Sequence, residues 1–294
     1  MEFQDFIKQT PDYLQVCKTH HFHVSKYKQY ALIKALKGKE YDYEKHPWMK
    51  YCRGIVIDTN KHKVVCIPPQ KSVELQTLEE CSFSDVTTKE YSVLLDGTMI
   101  NLFHNGEEWV PCTRSSIGAR TKWDGKRTFA NLFKESAPKN PWKEQLQTDH
   151  CYSFVLVHKQ NRIVSPVNEN GIFLVEQYKL GETVEKVPLD RFDGIQNVIT
   201  FNEDYLTNYD DPNLYFSIKG FTIKLNNKRY KWINPNYKEV SNLKMNHNNK
   251  LMNYISLRQK GYLRNYLDFF PEDSKLFSDY RDNYNTIKDE IFNC

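Results

Sequence analysis

The sequence predicts an α+β fold in which antiparallel sheets form most of the chain and helices follow at its end. Short runs of apolar and β-branched residues recur between residues 28 and 233, and such runs are typical of strands. Asn105 and Gly106 lie between two of the runs and form a strong hairpin signal, which favours antiparallel pairing. After residue 236 the apolar residues are spaced three and four apart, and this spacing predicts helices.

Eleven runs carry the strand pattern. In chain order they span residues 30–34, 54–59, 63–67, 91–96, 99–104, 108–113, 152–157, 162–167, 172–178, 221–225 and 230–233. A weaker hairpin signal at residues 225–228 joins the last two runs. We expect helical segments to interrupt the strands near residues 117–136 and 183–199.

The final helices are predicted from two sets of apolar residues that residues 270–273 separate. Pro271 suits the first turn of a helix, and the acidic residues behind it favour a helix N-terminus. The two sets are Leu251, Tyr254 and Leu257, and then Tyr280, Tyr284, Ile287 and Ile291. We therefore divide the chain into a sheet domain at residues 1–236 and a small helical domain at residues 237–294.

The composition is that of a globular protein. Of the 294 residues, 39% are hydrophobic, 14% aromatic and 27% charged, which excludes a disordered chain. No apolar run approaches the roughly 18 residues that a membrane helix needs, so we expect no membrane insertion. The start of the chain lacks the basic and then apolar order of a signal peptide. We therefore expect an intracellular, soluble protein.

The seven cysteines, of which Cys294 is the last, contain no C-x-x-C pair. Paired spacing is the usual mark of a tetrahedral zinc site. We therefore expect reduced, mostly buried thiols and no metal site.

The net charge of +4 allows a polyanionic partner without requiring one. The basic residues are unevenly placed, because residues 219–250 hold eight lysines and arginines and a single acid, Glu239. Two interpretations of this basic segment stay open, an anion-binding face and a solvated pair of strands.

Six segments carry short motifs in a fixed order. They are an R-G strand, an L-x-D-G turn, a basic strand, an N-R-I-V strand, a K-G-x-T strand and a K-x-I strand, at residues 51–57, 94–100, 112–117, 154–164, 219–223 and 230–233. Their order and spacing resemble the phage-type RNA ligases of the T-even phages, which belong to the covalent nucleotidyltransferase superfamily. The resemblance implies an antiparallel-sheet, ATP-grasp-like ligase domain in the sheet part of the chain.

The resemblance also implies a chemistry and the residues that it needs. In this family a lysine amine attacks the α-phosphate of ATP and forms a lysyl–AMP adduct. Carboxylates on the facing strands hold divalent metal ions, which neutralise charge on the phosphates. Lysines on the last strand stabilise the same charge directly.

The chain departs from the family at four of these positions. Leu94 stands where the nucleophilic lysine belongs, and a leucine has no nucleophile. Val155 and Lys219 replace two carboxylates, and Ile233 replaces the second lysine of the last strand. The resemblance therefore predicts a protein with no catalytic residues and no metal ligands, for which neither ATP nor magnesium is expected as a cofactor.

Other motif positions keep residues that suit an anionic ligand. As remnants of a nucleotide-binding or anion-binding site we identify Arg53, Asp96, Gly97, Arg114 and Lys231. The alternative is that these charged residues form internal ion pairs, with Arg53 pairing with Asp96.

These observations lead to the hypothesis of a pseudoenzyme that serves as a binding or assembly module. A nucleic-acid partner, RNA above all, would be contacted by the basic segment and by the aromatic residues Tyr230, Trp232 and Tyr237. A protein partner would instead be contacted by Trp123, Phe129 and Trp142. Core packing is the alternative role for both aromatic sets.

Two further hypotheses follow from the resemblance. Related sequences occur in phages and large DNA viruses, which extends the hypothesis to a viral structural component in a virion or in infected-cell cytoplasm. The alternative function is an active ATP-dependent RNA ligase that uses magnesium and a displaced lysine, for which Lys89, Lys219 and Lys224 are the nearest candidates.

Overall fold

The computed structural model of the chain describes residues 3–81, 83, 89–123, 126–226, 228–244 and 249–292. Strands in these residues are β1 Phe22–Tyr27, β2 Tyr30–Ala35, β3 Arg53–Asp58, β4 Lys63–Cys66, β5 Val73–Leu75, β6 Lys89–Val93, β7 Thr98–His104, β8 Trp109–Thr113, β9 Ser116–Ile117, β10 His150–Val157, β11 Gly171–Leu180, β12 Val184–Val187, β13 Gln196–Asn197, β14 Thr200–Phe201, β15 Gly220–Leu225 and β16 Lys228–Ile233. The α-helices are α1 Phe3–Gln9, α2 Tyr13–Thr19, α3 Phe129–Ser136, α4 Pro235–Lys244, α5 Lys250–Lys260, α6 Leu263–Phe269 and α7 Ser274–Phe292.

The strands form three sheets. The first has the order β1-β2-β3-β4, and α1 and α2 share a core with it. In that core the ring of Phe6 stacks on Trp48 with the ring centres 4.1 Å apart, an apolar contact that fixes α1 on the sheet.

The other two sheets face each other across a cleft. One has the order β12-β11-β10-β7-β8-β9, with β13 added beside β11. The second has the order β14-β6-β15-β16-β5, in which β15 pairs antiparallel with both β6 and β16. Side chains alternate between the two faces of a strand, so Thr222 and Lys224 of β15 share one face with Lys231 of β16.

The structure confirms the predicted fold class of antiparallel sheets followed by helices. Asn105 and Gly106 turn the β7–β8 hairpin, and Gly106 has a φ of 104°. The predicted strand pair at residues 221–225 and 230–233 is the β15–β16 hairpin. The described residues after 234 form the helices α4, α5, α6 and α7, and the proline-led turn Pro271–Asp273 precedes α7.

Three local predictions were wrong. Residues 162–167 form no strand, because the backbone N–H groups of Val164 and Ser165 donate to the Asp96 carboxylate instead of to a neighbouring strand. Residues 183–199 contain the strands β12 and β13 instead of a helix, and Pro188 lies between them. Between residues 117 and 136, leaving aside 124 and 125, which the structure does not describe, the helical part is α3, and the Thr128 hydroxyl caps its start by accepting from the Asn131 N–H.

The helices after residue 234 pack together and against the loop that follows β10. Val164 from this loop shares a buried cluster with Tyr254, Tyr266 and Phe270 from α5, α6 and the turn after α6. Arg162 from the same loop makes an ion pair with Glu272 at 2.7 Å. The division of the chain after residue 236 stays a prediction, and these contacts show that the two parts share buried surface.

The cysteines at 17, 52, 66, 81, 112 and 151 are free thiols and all are buried, as expected. Cys294 lies outside the described residues. None of the helices in the described part of the chain is long and apolar enough to cross a membrane.

Lys244 provides a pH-dependent test of the helical packing. Its amine donates to the carbonyl oxygen of Arg162 and lies 4.9 Å from the ring centre of Phe270. Burial, with the neighbouring charges of Lys250 and Arg162, lowers the pKa of Lys244 to about 8. Between pH 8 and 10 the unfolded chain therefore binds the additional proton, and the free energy of unfolding rises with pH.

We expect Lys244→Met to remove this contribution. From pH 8 to pH 10 the free energy of unfolding of the natural protein should rise by about 1 to 2 kcal/mol relative to that of the variant. Urea unfolding of both proteins measures this change. Tyrosine titration is common to both proteins and cancels in the difference. An equal pH dependence of the two proteins would contradict the prediction.

Candidate ligand-binding cleft

The cleft between the second and third sheets has an apolar wall. Its side chains come from β6, β7, β10, β11, the end of β16 and two adjoining loops, and the cleft volume is about 340 Å³. The apolar residues that line it are Val93, Leu94, Leu95, Met99, Val155, Val175, Val198 and Ile233. A cleft of this size holds a group comparable to a nucleotide, since ligand pockets begin at about 300 Å³.

The remaining wall is strongly basic. Six cationic side chains line the cleft, namely Arg53, Lys71, Lys219, Lys224, Arg229 and Lys231. No aspartate or glutamate within the described ranges lines the same cleft. Carboxylates lie instead beside the cations, since Glu90 accepts from Lys224 at 2.8 Å and Glu74 lies 2.8 Å from the Lys231 amine.

Asp96 is the carboxylate partner of Lys219, the third lysine of the cleft that pairs with an acid. Its side chain is only 4% exposed, and its Oδ1 lies 3.3 Å from the Lys219 Nζ. Tyr237 donates its hydroxyl to the same oxygen at 2.5 Å, and the backbone N–H groups of Val164 and Ser165 donate to Oδ2 at 2.9 Å each.

These contacts determine the ionisation state of Asp96. Burial alone raises the pKa of Asp96, but the Lys219 charge, the Tyr237 hydroxyl and the two backbone N–H groups outweigh burial and hold the pKa below its usual value. Burial and the Asp96 charge in turn raise the pKa of Tyr237. Asp96 is therefore an ionised carboxylate whose lone pairs are used internally.

Two glycines allow the strands around the cleft to approach. At Gly97 a Cβ atom would lie 2.4 Å from the Leu156 carbonyl oxygen, so a side chain there would force β7 and β10 apart. Gly220 has a φ of 132° and faces the Trp232 carbonyl oxygen, which would be 2.1 Å from a Cβ atom. Close packing of the backbone therefore explains the glycine at both positions, independently of any ligand.

Comparison with solved structures identifies this architecture. A protein assigned as an ATP-dependent DNA ligase in Aquifex aeolicus is similar with a TM-score of 0.55 at 12% identity, over 92% of this chain and 76% of that one. Two forms of an archaeal ATP-dependent RNA ligase are similar with TM-scores of 0.52 and 0.50 at 13% and 14% identity, each over 95% of this chain and 78% of that one.

The chain has the fold of the ATP-dependent ligases. At these identities the likeness establishes the fold, and the chemistry depends on the residues that line the cleft. No protein-family model matches the chain, and a search of curated proteins finds no match. The narrower assignment to the phage-type RNA ligases stays a prediction.

Within this ligase fold, the four positions that depart from the family motifs all line the one cleft. Leu94 lies directly after β6, and Val155 lies in β10 on the opposite sheet. Lys219 precedes β15, and Ile233 ends β16. The sequence motifs therefore converge in space as the resemblance requires, with three hydrocarbon side chains and an ammonium group at the positions where the resemblance expects two amines and two carboxylates.

The predicted anion-binding remnants separate into two groups. Arg53, Gly97 and Lys231 line the cleft. Asp96 does not line it, and the expected pair between Arg53 and Asp96 was wrong, because Asp96 pairs with Lys219. Arg114 also lies outside the cleft, in a neighbouring depression of about 190 Å³, where it donates to the Ala35 carbonyl oxygen at 2.9 Å.

The aromatic platforms proposed for partners were wrong. Trp232 and Tyr237 are 5% and 4% exposed, and Trp232 stacks on Phe221 with the ring centres 5.4 Å apart. Trp142 and Phe129 are 3% and 7% exposed in the core beside α3. The two remaining members are partly buried against the same cores, Trp123 against that of Phe129 and Trp142 and Tyr230 against that of Trp232. Burial of apolar ring surface explains these side chains without a partner.

The cations of the basic segment at residues 219–250 divide into those that line the cleft and those that lie elsewhere. Four of its cations line the cleft. Lys238 and Lys250 pair with Glu74 and Asp273 at 3.0 and 2.5 Å, and Lys228 faces a smaller adjoining cavity. The half of the segment that forms β15 and β16 therefore supplies the cationic wall.

Sequence reasoning missed several residues of the cleft. Lys71 and Ser72 come from the segment ahead of β5, which pairs with β16 only in the folded sheet. Glu176 of β11 lines the smaller adjoining cavity and not the cleft, but it lies 3.5 Å from the Nε of the cleft residue Arg229; it is 2% exposed and accepts from the Tyr178 hydroxyl at 2.7 Å. No local motif marks these residues, because only the pairing of distant strands brings them together.

The residues of the cleft do not fit a divalent cation. Magnesium and manganese prefer oxygen ligands, above all carboxylates. The lining of the cleft in the described residues offers hydroxyls and cations, and those residues contain no cluster of three histidines, cysteines or carboxylates. The cations of the basic wall would repel a metal ion at the same place.

Proposed function

We propose that this protein is a catalytically inactive member of the ligase fold that binds nucleic acid through its phosphates, with the basic wall of the cleft as the contact surface. The observation that carries the proposal is the lining of the cleft. Leu94 stands where the nucleophile of the resembling enzymes belongs, and six cations without a carboxylate surround it among the described residues.

Loss of adenylyl transfer follows from the chemistry of the side chains. A phosphoramidate requires an unprotonated amine next to the α-phosphate, and a leucine offers none. Lys219 reaches the cleft, but its amine lies 3.3 Å from the ionised Asp96. Its hydrogen bonds to this carboxylate and to the Leu95 carbonyl oxygen hold the amine beside Asp96, which does not line the cleft.

Nucleic-acid binding is supported by the charge that survives in the cleft. Phosphate contacts by lysine and arginine supply most of the affinity of sequence-independent binding, because counterions are released. Two of the cleft cations, Arg53 and Lys71, have no carboxylate partner within the described part of the chain, so their charge is available to phosphates. The fold also belongs to structures described as RNA and DNA ligases.

A second candidate function is an active ligase with a displaced lysine. Lys219 and Lys224 both line the cleft, which favours this reading, whereas Lys89 lies 2.7 Å from Glu203 and does not line it. Lys224 is only 9% exposed and pairs with Glu90. Both amines are already paired with carboxylates, Lys219 with Asp96 and Lys224 with Glu90, so we rank the inactive protein first.

The remaining hypotheses have less support. An assembly role loses the aromatic surface that suggested it, because those rings are buried or partly buried. A viral structural role stays a prediction.

The loss of adenylyl transfer is testable with radiolabelled ATP. We expect no acid-resistant label on the protein after incubation with α-labelled ATP and Mg²⁺ or Mn²⁺, since no free amine faces the α-phosphate. An active ligase treated in parallel controls the assay. A lysine-linked AMP found by mass spectrometry would establish the displaced-lysine ligase instead.

Nucleic-acid binding is testable with a neutralising pair, Arg53→Gln and Lys71→Gln. This pair removes two cations without leaving a buried carboxylate unpaired. We expect RNA affinity to fall about tenfold, and the salt dependence of log K to lose about 1.4 in slope, because each lost phosphate contact on a single strand removes about 0.7. Fluorescence anisotropy across a salt series measures both quantities.

Lys260→Gln with Lys275→Gln is the matched control, since both lysines are exposed on helices outside the cleft and the change in net charge is the same. The control should bind RNA as the natural protein does. Equal losses in both double variants would assign the binding to overall charge and remove the cleft from the proposal.

A further inference from the structure

The carboxylates around the cleft are already committed to lysines. Glu74, Glu90 and Asp96 lie 2.8, 2.8 and 3.3 Å from the amines of Lys231, Lys224 and Lys219, and none of the three lines the cleft. A metal ion would have to displace an ammonium group to reach any of them. In this chain, lysine amines therefore occupy the positions beside the carboxylates where a metal ion would have to bind.

The cleft also contains more cationic side chains than carboxylates that pair with them. Arg229 Nε is buried and has no hydrogen-bond partner within the described ranges, although Glu176 lies 3.5 Å away. Arg53 is exposed as a residue, but neighbouring protein atoms partly desolvate its guanidinium, and this desolvation, with the charges of Arg114 and Arg229, lowers the pKa of Arg53 to about 10. Binding of an anion between these cations is favoured, because the anion offsets their mutual repulsion.

The shape of the cleft limits the anion. Its volume of about 340 Å³ suits a group of nucleotide size instead of a long stretch of polymer. One wall is basic and the other is apolar, where Val155, Val175 and Val198 form a small buried cluster. A ligand that fits both walls carries several phosphates at one end and an uncharged, planar or apolar group at the other.

We propose that the cleft binds the oligophosphate chain of a nucleoside directly, without a divalent cation, and that Lys219 occupies the place of the metal. This inference rests on the proposed phosphate-binding function and narrows it to a ligand class. Two sources carry this chemistry, a free nucleoside triphosphate and the 5′-triphosphate end of an RNA. Four ammonium groups and two guanidinium groups would then share the charge that magnesium neutralises elsewhere.

The test is a calorimetric titration of the full chain with ATP and with inorganic tripolyphosphate, once in EDTA and once in excess Mg²⁺. We expect binding in EDTA, and binding at least threefold weaker in Mg²⁺, because the metal neutralises the phosphates that the cations recognise. Binding that appears only with Mg²⁺ would overturn the inference.

Two variants assign the binding to the cleft. We expect Lys219→Gln and Arg53→Gln each to weaken ATP binding in EDTA at least fivefold, and Lys260→Gln to leave it unchanged. Arg53 has an exposed side chain, so its variant tests the site even where Lys219→Gln is poorly folded. Unchanged ATP affinity in a folded Arg53→Gln protein would place the anion elsewhere and refute the inference.

Competition by short RNAs separates the two sources and separates this inference from the proposed function. A 5′-triphosphate RNA that competes with ATP better than its 5′-hydroxyl counterpart supports the RNA end. ATP binding in EDTA without any RNA binding supports the free nucleotide and overturns the nucleic-acid function. RNA binding that ATP and tripolyphosphate never displace overturns the inference and leaves the nucleic-acid function standing.

Discussion

Asp96→Ala should lower the free energy of unfolding by about 3 to 5 kcal/mol, a cost typical of breaking a buried ion pair by removing one partner. The carboxylate binds four groups, the Lys219 amine, the Tyr237 hydroxyl and the N–H groups of Val164 and Ser165. All of them lose their partner together. Urea unfolding at neutral pH, with the slope checked for two-state behaviour, measures the loss.

Controls distinguish the charge from the shape of this side chain. Asp96→Asn keeps an acceptor oxygen for the backbone N–H groups, so we expect a smaller loss than for alanine. Asp289→Asn on α7 is a matched exposed control, with 65% of the side chain accessible, and should change stability by less than about 0.5 kcal/mol. Asp96→Ala within the same small range would show that Lys219 and the loop are held by other contacts.

Acid should weaken the same contacts in the natural protein. The folded pKa of Asp96 lies below its unfolded value, so its contribution is complete above the unfolded pKa and is lost as pH falls through the folded one. In Asp96→Asn this part of the acid sensitivity should be missing.

Arg162→Met should release the final helices from the sheet body, at a cost of about 3 kcal/mol or more. The guanidinium donates to both Glu272 oxygens at 2.8 and 2.7 Å, to the Val164 carbonyl at 3.0 Å and to the Phe269 carbonyl at 2.8 Å. Its side chain is 13% exposed and lies 4.6 Å from the ring centre of Phe270. A methionine fills part of the volume and replaces none of these hydrogen bonds.

Hydrogen exchange with peptide resolution is the measurement, because it reports each part of the chain separately. We expect faster exchange in α5, α6 and α7, and unchanged protection in β7, β10 and β15. Arg281→Met is the control, since that side chain is 57% exposed and contacts only neighbours on its own helix in the described structure. Uniform loss of protection over the whole chain would instead show that the two parts unfold as one unit.

Much of the fold was predictable because strands carry a period of two and hairpins carry glycine and asparagine at their turns. The convergence of Leu94, Val155, Lys219 and Ile233 was also predictable, since the motif order fixes which strands face each other. The partners of charged residues were not predictable. Asp96 was expected beside Arg53, and the choice of Lys219 depends on where the segment ahead of β15 crosses the loop after β10.

The wrong strand at residues 162–167 has the same origin. Its sequence is as apolar and β-branched as those of true strands, but a distant carboxylate takes its backbone N–H groups. Long-range polar contacts of this kind leave no periodic signal in a sequence. The aromatic side chains misled the prediction for a related reason, because a ring in a core and a ring on a surface look alike before the chain is folded.

The ion pair between Lys219 and Asp96 opposes the single substitutions that would give the cleft the residues of the resembling enzymes. A lysine introduced at position 94 alone would add a further ammonium group to a cleft that already holds six cations. Return of a carboxylate at position 219 alone would set two like charges against each other in a buried place. Each of these single exchanges is therefore expected to be unfavourable, so a variant that carries the residues of the resembling enzymes needs the exchanges at positions 94 and 219 together.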